Sequence, residues 1–134
     1  MSQPDLIIAV KNKDLEQVAS LIKKKVDIDE VNSSGATALI TAAEKNNIEI
    51  VKLLVEAGAD LNAQTKMGGT ALNKAAENGN IEMMNFLFEK GVQIGDLAII
   101  VASREGHLEA VKLLAERGAN IDAQQRWGHT ALML

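Results

Sequence analysis

Residues 35–67 read GATALITAAEKNNIEIVKLLVEAGADLNAQTKM, and moved forward 33 positions this stretch lies over the chain's own continuation. Gly35 falls on Gly68, Thr37 on Thr70, Leu39 on Leu72, Ala42 and Ala43 on Ala75 and Ala76, Ile48 on Ile81, Leu54 on Leu87, and Gly58 on Gly91. Moved backward, its Leu39, Ile48, Val51, Leu54 and Asp60 cover Leu6, Leu15, Val18, Leu21 and Asp27. The register shortens once, because Gly95 follows Gly68 by 27 residues, and it recovers when Gly128 follows Gly95 by 33. A period of this length marks a linear array in which each unit buries its apolar flank on the next.

Within the period the local signals spell a pair of helices and a turn. Thr37 is a good N-cap for a helix over Ala38–Lys45, and Asn47 caps a second over Ile48–Ala57. Gly58 suits the position after a helix end, where positive φ stops the helix. Ala59–Met67 then turns outward as half of a hairpin-like finger that joins the next unit. Residues 1–34 are a weaker copy, with helices expected at Leu6–Lys11 and Leu15–Lys25 and with Asp14 as cap. There a lysine stands where later copies carry Gly58, Gly91 and Gly118, and Lys23, Lys24 and Lys25 read as a solvated last helical turn. Phe86 and Phe88, the only phenylalanines, replace Leu53 and Val55 and read as core volume.

These residues resemble the ankyrin repeat: Gly-x-Thr-Ala-Leu, Ala-Ala, Gly-Asn-Ile-Glu or Gly-His-Leu-Glu, Val-Lys-Leu-Leu and Gly-Ala-Asp-Leu-Asn-Ala. The resemblance implies an all-α solenoid of stacked antiparallel helix pairs with short hairpin-like fingers. It covers one domain, 1–134, divided as 1–34 (cap-like), 35–67, 68–94 (shortened finger), 95–127 and 128–134 (a truncated start). The family's usual Thr-Pro-Leu-His is here Thr37-Ala38-Leu39-Ile40, then Thr70-Ala71-Leu72-Asn73, then Leu97-Ala98-Ile99-Ile100, so its threonine–histidine bond is missing. Leu97 also lacks the capping hydroxyl, a loss of about 1 kcal/mol unless Asp96 substitutes. Both the short finger and the lost cap fall between 68–94 and 95–127, which is expected to be the least regular junction. The start at 128–134 ends on Leu132, Met133 and Leu134, read as a fragment of a longer array or an end that another molecule covers.

Composition narrows the function. Apolar residues are 47% of the chain and aromatics 2%, so the core is aliphatic. A net charge of −4 supplies no footprint for phosphate backbones, which argues against nucleic acid. No cysteine is present, and neither a signal peptide nor a membrane-inserting stretch is found at the start, so the expectation is a soluble, cytoplasmic protein.

No catalytic constellation stands outside the repeat. Asp27, Asp29, Asp60 and Asp96 occupy turn positions where aspartate bonds its own backbone, which outweighs a cation site. His107 takes the helix-start position of Asn47 and Asn80, and with His129 it would still need a third zinc ligand. Gly68-Gly69-Thr70 is a turn, since the lysine of a phosphate loop is missing. The chain is therefore expected to be no enzyme and to hold no metal and no cofactor.

What remains is recognition of another protein. Ankyrin arrays bind through finger tips and the exposed ends of first helices, which line a concave face. Carried over by position, the finger-tip candidates are Ser33, Ser34, Ala36, Lys66, Met67, Gly69, Ile94, Asp96, Arg126, Trp127 and His129. The first-helix candidates are Glu44, Lys45, Glu77, Asn78, Arg104 and Glu105. These positions vary between copies while the framework agrees. Trp127 is the sharpest single candidate, because a tryptophan beside Arg126 has the residue types that dominate interface energetics; the competing reading packs it on its own finger. Two rival readings are kept. In one the chain is the targeting region of a larger enzyme or effector whose catalytic part lies outside it; in the other the chain, otherwise expected to be a monomer, self-associates through Leu132–Leu134 and the Leu108–Leu114 face.

Overall fold

The computed structural model describes residues 4–118. Those residues form eight helices: α1 (Asp5–Lys11), α2 (Leu15–Lys23), α3 (Ala38–Glu44), α4 (Ile48–Glu56), α5 (Ala71–Asn78), α6 (Ile81–Glu89), α7 (Asp96–Arg104) and α8 (Leu108–Glu116). Consecutive helices pair, and the pairs stack in order, so the chain is an all-α solenoid. An inner row runs α1, α3, α5, α7 and an outer row α2, α4, α6. No described helix is long and apolar enough to cross a membrane.

The inner row packs more closely than the outer, and alanine is the reason. Ala42, Ala43, Ala71, Ala75, Ala76, Ala98 and Ala102 are fully buried along it, so neighbouring backbones approach without side chains between them. Behind the alanines the larger residues repeat in columns: Leu39, Leu72 and Ile99 in one, Leu54, Leu87 and Leu114 in another, all buried. Each such side chain removed from water contributes about 1.5–3 kcal/mol. The columns follow the period, including its one short step, which is why the core was legible as a repeat.

Five of the eight described helix starts are set by side-chain oxygens. The backbone N–H of Gln17 donates to Asp14 Oδ1 at 3.0 Å, and that of Ile40 to Thr37 Oγ1 at 3.2 Å. Asn47 accepts from Ile50 N–H at 3.1 Å, Thr70 from Asn73 N–H at 3.1 Å and Asn80 from Met83 N–H at 3.0 Å. α7 departs from this pattern. It begins at Asp96, ahead of the position that aligns with Thr37, and its N-cap is Gly95, which makes no side-chain cap bond. Asp96 is thus not a substitute cap. It lies in the first turn, where its charge complements the positive helix end. His107 also caps α8 only by position; its Nε2 instead donates to the Glu77 carbonyl at 2.9 Å, tying α8 to the preceding pair.

α1 ends at Lys11 as expected, while α2, α3 and α4 end one or two residues short of the sequence expectation. α2 stops at Lys23, so Lys24 is its C-cap and Lys25 lies outside it at φ +59°. The left-handed conformation of Lys25 is the one that Gly58, Gly91 and Gly118 adopt at φ +98°, +88° and +92°. The turn geometry outlasts the glycine that favours it.

Phe86 and Phe88 are only partly buried, a correction to their reading as core volume. They pack on the core from α6 with cations over their outer faces: Lys52 and Lys90 Nζ lie 5.7 and 5.6 Å from the Phe86 ring centre, and Arg117 lies 5.2 Å from that of Phe88. The Leu108–Leu114 face expected to pair between copies also divides, because Leu114 is fully buried while Leu108 is 78% exposed.

Candidate partner-binding surface

The fingers are built by short hydrogen-bonded turns. In the first, Asn32 N–H donates to the Ala36 carbonyl at 3.0 Å and Gly35 N–H to the Asn32 carbonyl at 3.0 Å. The second repeats this: Thr65 N–H donates to the Gly69 carbonyl at 2.8 Å and Gly68 N–H to the Thr65 carbonyl at 2.9 Å. Side chains lock both, since Asn32 Oδ1 accepts from Ser34 and Ala36, and Thr65 Oγ1 accepts from Gly69 N–H. The fingers are also joined to each other. Lys66 N–H donates to the Ser34 carbonyl at 3.0 Å near the tips, and Asp60 N–H to Asp29 Oδ1 at 2.9 Å near the base. Asp27, Asp29 and Asp60 therefore act as backbone acceptors, Asp27 for Asp29 N–H and Asp60 for Asn62 N–H, whereas Asp96, expected at a turn, lies inside α7.

Between the finger tips and the inner helices lies a cleft of 320 Å³. Ser34, Ala36 and Met67 line it from the fingers, Ile40, Thr41 and Glu44 from α3, Lys11 from α1 and Lys74 from α5. Lys74 Nζ is 3.7 Å from Glu44 Oε2, so two neighbouring inner helices contribute opposite charges to one wall. Met67 stands 91% exposed at the tip of the second finger. An unbranched thioether held in water adapts its shape to whatever apolar group meets it.

The sequence-predicted residues separate into groups. Ser34, Ala36, Glu44 and Met67 meet in the cleft, with exposed Ser33 and Lys66 beside them on the tips. Ala36 is 8% exposed, so it forms floor and not tip, a correction to its placement among the tips. Gly69 is partly buried, and Gly69 N–H is spent on Thr65. Lys45 lies at the far ends of the helices with Lys13, Asn46 and Asn47, apart from the fingers. Asn78 is exposed, but its amide donates to the Ala43 and Glu44 carbonyls at 3.2 and 3.4 Å, stitching α5 to the end of α3. Glu77 is exposed on α5, and Arg104 pairs with the adjacent Glu105, Nε to Oε2 at 3.3 Å. Ile94 and Asp96 line a second cleft, at the shortened connector. Arg126, Trp127 and His129 lie outside the described residues.

The family model described as ankyrin repeats (three copies) matches residues 6–98, and the one described as ankyrin repeats (many copies) matches residues 98–134. The chain belongs to the ankyrin-repeat family. No curated protein matches it. Ankyrin repeats are generally protein–protein interaction modules and typically non-catalytic. In this ankyrin stack part of the inner-helix wall escaped the sequence reasoning: Lys11, Thr41 and Lys74 line the cleft beside the candidate Glu44 but were not candidates themselves. The period held the signal. Lys11, Glu44, Glu77 and Arg104 occupy one column, which changes sign between Lys11 and Glu44 and again between Glu77 and Arg104, and Thr41 and Lys74 occupy another, which changes from hydroxyl to amine.

Proposed function

We propose that this ankyrin-repeat chain is a non-catalytic scaffold that binds another protein along its finger tips and inner-helix wall. The observation that carries the reading is the single cleft in which Ser34 and Met67 of the fingers meet Lys11, Glu44 and Lys74 of three successive inner helices. None of these side chains is fully buried, so varying them alters recognition without disturbing the core. Glu44 offsets Lys74 in the wall, which leaves Lys11 and, on the adjoining tip, Lys66 as the excess charge, so the surface suits a partner segment that carries carboxylates and one apolar side chain for Met67.

The test is affinity capture with three forms of the chain: the natural sequence, a Lys11→Glu/Met67→Ser/Lys74→Glu variant, and a control changed on the outer helices at Glu89→Lys and Lys112→Glu. A partner held by the natural chain and the control, and lost by the cleft variant at an unchanged melting temperature, supports the reading. Equal retention by all three forms rejects it.

A further inference from the structure

The connector from α4 to α5 occupies residues 57–70, whereas that from α6 to α7 occupies only 90–95. Aligned on Gly58 with Gly91 and on Gly68 with Gly95, the six absent residues are the equivalents of Asn62–Met67. The third connector thus has a base and no finger. The base keeps its cross-link: Gln93 N–H donates to Asn62 Oδ1 at 2.8 Å, one step along from the Asp60 to Asp29 bond. The tip does not. The Ser34 carbonyl accepts from the next finger, but among the described residues nothing donates to the Met67 carbonyl, its equivalent one step on. In place of the finger is a cleft of 270 Å³, lined by amide side chains (Asn62, Gln64, Asn73 and Gln93), by apolar Ile94 and Leu97, and by Asp96 as the only charged group.

We propose that this cleft takes an extended peptide segment of a partner protein, which lies beside the Thr65–Gly69 finger as the missing finger would. A backbone N–H of the segment donates to the Met67 carbonyl, the exposed amides of Gln64 and Gln93 satisfy further backbone groups, and a lysine or arginine of the segment pairs with exposed Asp96. Strand-like addition of a peptide to an open backbone edge is a general recognition mode, with main-chain bonds supplying affinity and side chains the selectivity. The proposal rests on the reading of this ankyrin chain as a protein-recognition scaffold and adds a second place, with its own charge preference, opposite in sign to that of the lysine-lined cleft.

The chain itself supplies the probe. A synthetic peptide with the sequence of residues 60–70, DLNAQTKMGGT, has the backbone of a regular finger and carries one lysine. Titrated into the full-length protein, it should shift the amide resonances of Met67, Ile94 and Asp96 and saturate below about 1 mM. Asp96→Asn, an exposed change, should weaken binding by about fivefold, the scale of one exposed ion pair. Inserting Asn-Ala-Gln-Thr-Lys-Met between Ile94 and Gly95 rebuilds the finger and should abolish binding. Absence of saturation, unaltered binding by the rebuilt chain, or shifts at Lys11, Thr41 and Lys74 instead would each overturn the proposal. So would a concentration-dependent dimer that shifts the same three resonances without peptide, since a second copy would then be the occupant. Partner capture through the lysine-lined cleft is measured separately, so either reading can fail while the other stands.

Discussion

At the scale of single residues, the left-handed turn positions show what the stack demands and what it tolerates. Lys13, Asn46, Gly79 and Gly106 hold one turn of each pair at φ +56°, +62°, +66° and +76°, so a side chain is accommodated at two of the four. Gly79 differs because His107 reaches back to the Glu77 carbonyl and lays its ring over the turn; a Cβ there would lie 2.7 Å from Nδ1. Gly79→Ala should therefore destabilise by more than the ~1–2 kcal/mol of left-handed strain alone. Adding His107→Ala should recover the excess, measured as a double-mutant cycle in urea; strict additivity would show that the ring is not the obstacle. Lys25 gives the opposite case. Replacing it by glycine removes left-handed strain but frees the unfolded chain, for a net gain of about 0.5–1 kcal/mol in the same assay. The sequence displayed the Lys25 anomaly plainly, as a lysine in a glycine column. It could not display the Gly79–His107 contact, which depends on how near one pair sits to the next.

Among elements, regular helices are bounded by capping side chains, and α7 shows what happens when one is lost. Thr70→Ala should cost about 1 kcal/mol, read as a lower unfolding midpoint by circular dichroism. Leu97→Thr restores the family residue at the aligned position but should bring no comparable gain, because α7 already begins at Asp96 and runs through that position. A rise of about 1 kcal/mol on Leu97→Thr would mean that the helix start had returned to the family register. The expectation of an irregular junction is met on one side only. The finger tip is absent and the outer helices α6 and α8 touch less than α4 and α6, while α5 and α7 pack as extensively as α3 and α5. Periodicity reveals what each unit does alone: caps, core columns, the deletion itself. It does not reveal bonds between units, such as the Asn78 amide on the Ala43 carbonyl or the Asn80 amide on Asn46 Oδ1 at 2.6 Å. For the same reason Ser34 and Met67 were found as recognition candidates and Lys11, Thr41 and Lys74 were not. A tip position announces itself by lying outside every helix, and Glu44 by ending a first helix, whereas Thr41 and Lys74 lie inside their helices and are placed on the wall only once the stack is built.

For the whole molecule, stability is a sum over neighbours, since among the described residues extensive helix packing occurs only within a pair or between adjacent pairs. Leu54, fully buried in α4, belongs to the buried column Leu21, Leu54, Leu87 and Leu114 that runs through four pairs, and Leu54→Ala should cost about 2–5 kcal/mol in equilibrium denaturation. Met67→Ser, at a 91% exposed tip, should change stability by less than about 0.5 kcal/mol. If both substitutions moved the midpoint alike, the finger would be part of the core and not a recognition surface.

The tip-to-tip link between Lys66 and Ser34, with none at the next step among the described residues, has a mechanical consequence. Tension drawn along the described pairs would meet a clasped edge over the first two fingers and an unclasped one at the third, so this part of the array should flex there first. A bound peptide bridging that gap would act as a splint.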